Sequence, residues 1–282
     1  MSNLITRSIT GILFVTALVV CFLNAMAMAL LFALITALSV WEFTGLVNHH
    51  KQASVNRFIC TVAGVYFFLS MMGFCSGLTP STVFIPYLLT LVYLMVAELY
   101  TKAEDPVANW AYTMMSQMYV ALPLSLINVL AFRATAAGEV YTYLIPLSVF
   151  VFLWMNDTGA YCFGSLLGKH KLFPRISPAK SWEGSIGGFI VVTATAAGIW
   201  YFTEQYGVNE LRLDLFQWIG LGLVVAVFGT WGDLVESLFK RTLGIKDSGS
   251  ILPGHGGMLD RFDSALLAIP AAVLYLYTLT LV

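Results

Sequence analysis

Charge is what this chain has least of. Only 10% of its 282 residues are Asp, Glu, Lys or Arg, whereas 59% are hydrophobic; an ordinary soluble domain carries about 25% charged residues. A soluble protein of this composition would have to bury several uninterrupted apolar runs of membrane length in one core. The shortage of charge therefore excludes an ordinary soluble domain and predicts a polytopic integral membrane protein. The net charge of −1 does not indicate a partner, because in this class the position of charges matters more than their sum.

Cysteine is also scarce, and no pair of cysteines has the CxxC spacing of a redox or zinc site. Cys21, Cys60, Cys75 and Cys162 lie in apolar runs, which predicts small core residues rather than disulfides or metal ligands. A cleavable signal is not apparent either, because the first apolar run continues into a second. Internal repeats, Pro-rich linkers and low-complexity tracts are missing, so we expect a single integral membrane domain over 1–282.

What the chain does contain is a series of apolar runs of about 20 residues, the length of a helix that crosses a bilayer. These runs predict an all-α fold with about nine transmembrane helices and two long polar loops, 163–184 and 237–263. The predicted helices cover residues 8–24, 26–46, 57–76, 82–100, 109–132, 140–162, 185–203, 215–236 and 264–281.

Basic residues are distributed unequally between the two sides of this nine-helix arrangement. If the N-terminus is cytoplasmic, twelve of the fourteen Lys and Arg residues lie on the cytoplasmic side, and only Arg133 and Arg212 lie outside. The asymmetry is what the positive-inside rule requires. It predicts a multi-pass protein of the cell inner (cytoplasmic) membrane, with both polar loops and any active site in them facing the cytoplasm.

Four of the five carboxylates within WGDLVESLFKRTLGIKDSGSILPGHGGMLDRFDS, residues 231–264 in and beside the second polar loop, form two pairs. Asp233 and Glu236 are three residues apart at the inner end of one predicted helix, and Asp260 and Asp263 have the same spacing at the start of the next. Residues at this spacing share a helix face. Ionisable groups at membrane helix ends are costly unless paired, hydrated or metal-bound, which favours a functional site. The alternative is that these carboxylates only form ion pairs with neighbouring Lys and Arg residues.

Basic residues and glycines alternate with these carboxylates. Carboxylate oxygens suit hard cations, and Mg²⁺ typically uses one or two of them together with substrate phosphates. Gly256 and Gly257 allow backbone N–H groups to approach a polyanion, and His255 can carry a proton or donate a hydrogen bond. The combination predicts a metal–polyphosphate site whose candidate cations are Lys240, Arg241, Lys246 and Arg261.

The other polar loop lies in NDTGAYCFGSLLGKHKLFPRISPAKSWEGSIGG, residues 156–188. Its GSLLGKH stretch is not a phosphate-binding P-loop, because the glycines are one residue too close and His170 replaces the Ser or Thr that binds Mg²⁺. In SPAKSWEG, Ser177, Lys180 and Ser181 precede a predicted helix and can hold a phosphate. An ordinary capped turn explains the same residues equally well.

Three further carboxylates lie within or at the ends of predicted helices. Asp157 lies inside or at the edge of the sixth predicted helix, where an unpaired carboxylate would be expensive. Glu42 and Glu98 lie near predicted cytoplasmic helix ends, and we interpret both as boundary residues with local partners.

Two stretches of the chain resemble a known family. SLFKRTLGIKDSGSILPGHGGMLDRFD, residues 237–263, resembles without visible departure the signature of the phosphatidate cytidylyltransferases, also called CDP-diacylglycerol synthases. DTGAYCFGSLLGKHKLFPRISPAKSWEGSIGG is similar to the family's second polar loop, with Thr158, Ala179 and Ser181 at positions where Ser, Lys and Thr are common. The replacements at 158 and 181 keep a hydroxyl, whereas Ala179 puts a role for that lysine in question. The first half of the chain is similar only in length and hydropathy.

The resemblance implies a nucleotidyltransferase of phospholipid biosynthesis. It would condense CTP with phosphatidic acid to give CDP-diacylglycerol and pyrophosphate, with Mg²⁺ as cofactor, and act as a homodimer in the lipid bilayer, with no nucleic acid as partner. The resemblance places Asp233 and Asp260 at a metal centre, to which Asp263 is a further candidate ligand. The catalytic candidates are Asp233, Asp260 and Lys240, and the substrate-binding candidates are Ser177, Lys180, Ser237, Arg241, Lys246, Asp247, His255, Gly256, Gly257 and Arg261.

The chemistry of that reaction agrees with the residue types. Two polyanions must meet, so metal and basic groups have to neutralise charge and align attacker and leaving group. A polar stretch beside a membrane helix suits a reaction with one substrate in lipid and one in water. Two alternatives stay open: another CTP-dependent membrane lipid enzyme, such as a CDP-archaeol synthase or a polyprenol kinase, and a cation transporter that uses Asp157 and Asp233. The transporter would place its charges near mid-membrane on broken helices.

Overall fold

A computed structural model describes residues 3–51, 53–135, 138–208, 212–249, 251 and 256–280 of the chain. Helices account for most of these residues, which confirms the predicted all-α class. The helices are α1 (Asn3–Phe22), α2 (Ala25–His50), α3 (Arg57–Cys75), α4 (Ile85–Ala97, after a 3₁₀ turn at Ser81–Phe84), α5 (Pro106–Met115), α6 (Leu122–Ser125, after a π-helical turn at Ser116–Ala121), α7 (Ile127–Ala131), α8 (Leu144–Leu167), α9 (Trp182–Gln205), α10 (Leu215–Thr242) and α11 (Leu259–Thr280).

Two short antiparallel hairpins interrupt the helical chain. Strand β1 (Phe132–Thr135) pairs with β2 (Gly138–Tyr141), and β3 (Lys171–Phe173) pairs with β4 (Ser177–Ser181). The second strand of the first hairpin covers Gly138–Tyr141, where the sequence predicts the start of a helix at 140; the helix instead begins at Leu144. Strands of three to five residues are too short to form a core of their own.

Six helical segments of the described chain are long and apolar enough to cross a membrane. They are Ala25–His50, Arg57–Cys75, Pro106–Ala131, Trp182–Gln205, Leu215–Thr242 and Leu259–Leu279, and shorter apolar helices cover Thr10–Phe22 and Ser81–Ala97. The chain is therefore a multi-pass membrane protein. Each of these eight segments coincides with one of the nine predicted spans. Helix α8 coincides with the ninth and has Asn156 and Asp157 in its interior. The total of nine membrane crossings stays a prediction.

The second polar loop is shorter than the sequence predicts. Helix α10 continues through Lys240 and Arg241 to Thr242, because basic residues stabilise the last turn of a helix. Gly244 then ends it with a φ of 74°, a left-handed conformation that glycine adopts without strain. Helix α11 begins at Leu259 with Asp260 in its first turn, where a carboxylate stabilises the helix N-terminus. The loop between the helices therefore covers 243–258 rather than 237–263.

The prediction that the cysteines are small core residues is confirmed for Cys60 and wrong for Cys162. All four cysteines are free, and Cys60 is buried, but Cys162 is exposed on α8. An apolar residue of a membrane helix does not have to lie in the protein core, because lipid tails are as apolar as the protein interior.

The fold consists of two compact units, between which the chain passes three times. The first unit contains Met1–Pro146 and Lys240–Phe262, and the second contains Leu147–Phe239 and Asp263–Val282. The single-domain assignment for 1–282 stays a prediction.

The core of the first unit is aromatic. The Phe32 ring lies 5.5 Å from Phe22, 6.5 Å from Phe68 and 6.0 Å from Phe262, measured between ring centroids, and all four side chains are buried. Phe262 belongs to the polar signature, so the end of that signature is fixed in the core of this unit.

Close packing of small residues holds the second unit together. A Cβ placed on Gly159 of α8 would lie 2.9 Å from the Cα of Gly188 on α9. Small residues at such positions let helix backbones approach closely, as is common in membrane proteins. This contact fixes α9 against α8 in the second unit.

Candidate active site

In the first unit, Asp260 is the centre of a buried polar cluster, which we call the Asp260 cluster (Lys240, Ser248, Gly257 and Asp260). One carboxylate oxygen, Oδ1, accepts from Lys240 Nζ at 2.7 Å. The other, Oδ2, accepts from the backbone N–H groups of Ser248 and Gly257, both at 2.8 Å. The side chains of Lys240 and Asp260 are only 11% and 5% exposed. A buried ion pair requires such extra hydrogen bonds, because desolvation otherwise cancels its attraction.

The glycines of the signature allow the loop to pack against this carboxylate. Gly256 has a φ of 81°, and a Cβ there would lie 2.4 Å from Asp260 Oδ2. A Cβ on Gly257 would lie 2.3 Å from the Ser248 hydroxyl oxygen. The Gly257 N–H donates to Asp260 and so holds the loop against this carboxylate. The contact of Gly256 and Gly257 with a phosphate stays a prediction.

The sequence did not identify Glu42 of α2 as part of the site. Its side chain accepts hydrogen bonds from the Ser248 hydroxyl at 3.2 Å and from the backbone N–H groups of Met258 and Leu259 at 2.9 Å each. Glu42 is buried, so it is not an ordinary boundary residue. The signal that could have found it is a carboxylate surrounded by apolar helical sequence, which is costly without partners.

In the second unit, Asp233 of α10 is the centre of a more open cluster, the Asp233 cluster (Lys180, Thr230, Asp233 and Ser237). Asp233 Oδ2 pairs with Lys180 Nζ at 2.8 Å, and Oδ1 accepts from the Ser237 hydroxyl at 3.1 Å. Lys180 Nζ also donates to the carbonyl oxygen of Thr230 at 3.3 Å. The side chains of Lys180 and Asp233 are 24% and 32% exposed, so solvent reaches this cluster.

The β3–β4 hairpin carries Lys180 and is fixed to the start of α9. Glu183 accepts from the backbone N–H groups of Lys169 and His170 at 3.2 Å, and its Oε1 lies 2.5 Å from His170 Nδ1. Ser181 caps α9 by accepting from Gly184 N–H at 3.2 Å. The predicted capped turn is therefore present, and the same local structure directs Lys180 to Asp233.

The other predicted site residues differ in their surroundings. Asp263 is half-buried and accepts from the N–H of Ser264. Glu236 is fully buried although the sequence pairs it with the half-exposed Asp233. His255 lies outside the described residues, and Ser177 lies half-buried in β4 opposite Phe173. The exposed members are Asp157, Arg241, Lys246, Asp247 and Arg261.

Oxygen ligands suitable for Mg²⁺ are present, but they are few. Among the described residues, no group of three or more His, Cys, Asp or Glu side chains is placed to hold a metal ion. Asp233 fits a metal best, because its carboxylate is partly open and has the Ser237 hydroxyl beside it. Asp260 accepts three hydrogen bonds, so a metal there would have to replace Lys240. Mg²⁺ commonly completes its shell with water and substrate phosphates.

Comparison with known proteins agrees with these residue types. Residues 4–279 match the model of the cytidylyltransferase family. A phosphatidate cytidylyltransferase of Haemophilus influenzae is 34% identical over 257 residues, which cover 86% of this chain and 87% of that protein. One of Staphylococcus aureus (strain COL) is 42% identical over 160 residues, 57% of this chain and 56% of that protein. The match thus spans about half the length of the staphylococcal relative.

Proposed function

The chain belongs to the cytidylyltransferase family, and on this premise we propose that it transfers the cytidylyl group of CTP to phosphatidic acid in a membrane. The products are CDP-diacylglycerol and pyrophosphate. The relatives named above carry the name of this activity. The observation that carries the proposal for this chain is the Asp260 cluster: the signature segment folds into a loop whose Ser248 and Gly257 N–H groups both donate to one buried carboxylate.

The reaction needs charge neutralisation more than proton transfer. A phosphatidate oxygen forms a bond to the α-phosphorus of CTP, and the bond from that phosphorus to the oxygen bridging it to the β-phosphorus breaks. That oxygen leaves with the bonding electrons as part of pyrophosphate. The attacking phosphate is already ionised near neutral pH, so no strong general base is required. The main obstacle is the repulsion between two polyanions, which fixed cations reduce.

The cations that pair with a carboxylate and the exposed cations have different roles in this proposal. Arg241, Lys246 and Arg261 are exposed and are available to the phosphates of CTP. Lys240 and Lys180 each hold a candidate catalytic carboxylate at 2.7 Å and 2.8 Å, so they orient these groups and add positive charge beside them. The apolar helices supply surroundings for the two acyl chains.

We propose that Mg²⁺ is required and that Asp233 would hold it, with Asp260 and Asp263 as further candidate ligands. When bound, the ion would neutralise charge on the triphosphate and on the pyrophosphate that leaves. The hydroxyl of Ser237 and the partly open carboxylate of Asp233 support this assignment, since both are hard oxygen donors.

We also propose that the protein is a homodimer of the cell inner membrane whose active site faces the cytoplasm. The positive-inside asymmetry and the cytoplasmic location of CTP support this orientation. The family resemblance supports the homodimer. Light scattering of the detergent-solubilised protein should give a protein mass of two chains; a mass of one chain would contradict the dimer.

The reaction is tested with purified protein, phosphatidic acid, Mg²⁺ and CTP labelled at either the α- or the γ-phosphorus. Cytidylyl transfer puts only the α label into lipid, whereas a CTP-dependent kinase puts only the γ label there. An ether-linked archaeol phosphate in place of phosphatidic acid examines the archaeol alternative. Liposomes without CTP, assayed for cation uptake, examine the transporter.

Two controls make the assay specific. The reaction without phosphatidic acid should give no labelled lipid, and the Asp233→Asn protein should give far less than wild type. The proposal is overturned if correctly inserted protein transfers no α label to phosphatidic acid, or if γ label enters the lipid instead.

A further inference from the structure

Glu42 of α2 contacts the signature loop 243–258 at Ser248 and at its last residue, Met258. In the first half of the loop, the Ser248 hydroxyl donates to Oε2 at 3.2 Å. At its end, Met258 N–H donates to Oε1 and Leu259 N–H to Oε2, both at 2.9 Å. These donors lie more than 200 residues from Glu42 in the sequence, so one carboxylate of an early helix joins two parts of a late loop.

The loop backbone at Gly249 and Gly257 lies directly on this carboxylate. A Cβ added to Gly249 would be 2.8 Å from Glu42 Oε1, and one added to Gly257 would be 2.5 Å from Oε2. Contacts that close leave no space for a side chain at either position. The glycines of the signature therefore fit the Glu42 carboxylate as well as that of Asp260.

Glu42 and Asp260 are bound by the same parts of the loop. Ser248 donates its backbone N–H to Asp260 and its hydroxyl to Glu42. Gly257 donates its N–H to Asp260, and the next N–H, that of Met258, goes to Glu42. A shift of the loop away from Glu42 would therefore also move the two N–H donors that orient Asp260.

The position requires a carboxylate rather than any polar group. Each oxygen of Glu42 accepts a backbone N–H. These N–H groups belong to Met258, directly before α11, and to Leu259, its first residue, and they have no partner within the helix. Glutamine has the same shape, but its NH₂ group would have to face one of these N–H donors. The negative charge also interacts favourably with the helix N-terminus.

We propose that Glu42 is a positioning residue for the cytidylyl transfer: it fixes the signature loop and the start of α11 so that Asp260 is held in its working orientation. The proposal rests on the proposed function for its activity readout. It does not make Glu42 a catalytic residue, because Glu42 acts through Ser248, Met258 and Leu259.

The test compares Glu42→Gln with the matched control Glu98→Gln. Glu98 is another glutamate of the first unit, and its Oε1 accepts a hydrogen bond from Asn109 Nδ2 at 2.6 Å. Each purified protein is assayed for kcat and for KM of CTP. Hydrogen–deuterium exchange is measured on the peptides that span the signature loop, and thermal unfolding is measured in detergent.

We expect Glu42→Gln to lower kcat at least tenfold while the KM for CTP changes less, and to raise exchange in the signature loop selectively. Glu98→Gln should stay within twofold of wild type in kcat. Glu42→Asp keeps two acceptor oxygens and should recover part of the lost kcat. A Glu42→Gln protein that melts earlier but keeps wild-type kcat and loop exchange would overturn the proposal, since Glu42 would then only stabilise the fold.

Two further results separate this proposal from the proposed function. If wild-type protein transfers no cytidylyl group but Glu42→Gln still raises loop exchange, the proposed function fails and the anchoring of the loop is supported. If Glu42→Gln does not fold, Ser248→Ala replaces it, because that variant deletes only one of the three hydrogen bonds. Ser248→Ala should lower kcat severalfold while its melting temperature stays that of wild type. If both kcat and loop exchange were unchanged, the proposal would be overturned.

Discussion

At the scale of single residues, two Asp–Lys pairs with the same chemistry occupy different surroundings. The Asp260–Lys240 pair is almost completely buried, whereas the Asp233–Lys180 pair is about one-quarter to one-third exposed. Removing one partner of a buried pair leaves an uncompensated charge, which costs about 3–5 kcal/mol. An exposed pair contributes about 0–1 kcal/mol. The Asp260–Lys240 pair therefore stabilises the fold as well as the site. The Asp233–Lys180 pair is accessible to a metal ion or a substrate.

Lys240→Met tests the structural part of that difference. The change keeps the apolar stem of the side chain and deletes the ammonium, so Asp260 loses its cation in a buried site. We expect the free energy of unfolding to fall by about 3 kcal/mol, together with a large loss of cytidylyl transfer. Unfolding in detergent measures the first effect.

The exposed Lys246 is the matched control for this change. Lys246→Met should raise the KM for CTP with little change in stability, because its charge is already in water. Wild-type stability of Lys240→Met would contradict the importance of the buried pair.

Asp233→Asn tests the chemical role of the more open carboxylate. The substitution keeps the volume, and the half-exposed site tolerates the loss of charge, so folding should be preserved. Turnover should fall on the order of 100-fold, the usual effect of losing one electrostatic contact to the reacting phosphates.

Asp214→Asn is the control, since Asp214 accepts from Gln217 N–H at 2.8 Å at the start of α10 and asparagine fulfils that role equally well. Near-normal turnover of Asp233→Asn at limiting Mg²⁺ would remove Asp233 from the proposed metal ligands.

At the scale of secondary-structure elements, the start of α11 and the loop before it depend on one glycine with a left-handed backbone. Gly256→Ala introduces a Cβ at a φ of 81° and 2.4 Å from Asp260 Oδ2. The left-handed conformation alone costs about 1–2 kcal/mol for a residue with a Cβ, and the contact with Asp260 adds to it. We expect lower stability and a lower kcat, measured by unfolding and cytidylyl transfer.

Gly207→Ala separates these two costs. Gly207 has a φ of 65°, and a Cβ there would meet nothing within 4 Å. The control should therefore lose only the backbone contribution and keep wild-type kcat. Equal effects of the two substitutions on stability and kcat would show that the contact with Asp260 does not matter.

At the scale of the whole molecule, the orientation in the membrane can be tested directly. Twelve of the fourteen basic residues lie on one side of the predicted nine-helix arrangement, which predicts a cytoplasmic N-terminus and an external C-terminus. A fluorescent protein that matures only in the cytoplasm should stay dark when fused to the C-terminus and be bright when fused to the N-terminus. A bright C-terminal fusion would contradict the nine-helix arrangement.

The sequence alone determined most helices of this protein and many of the residue types of its site. The predicted helix at 57–76 is Arg57–Cys75 in the structure, and that at 215–236 is the first part of Leu215–Thr242. Such predictions succeed because a membrane helix forms its hydrogen bonds within one segment, and its apolar length is visible in that segment. The assignment of Asp233 and Lys240 as candidate site residues likewise depends on residue types within one short stretch.

Only the tertiary structure decided which side chains meet. Lys180 reaches Asp233 from a hairpin about fifty residues earlier, and Glu42 accepts from a loop more than 200 residues later. Neither contact has a spacing or period in the sequence, because hydrogen bonds between distant segments depend on how helices pack and not on local pattern. The same holds for burial: Asp233 and Glu236 lie three residues apart, yet the first is about one-third exposed and the second is fully buried, because neighbouring elements cover only Glu236.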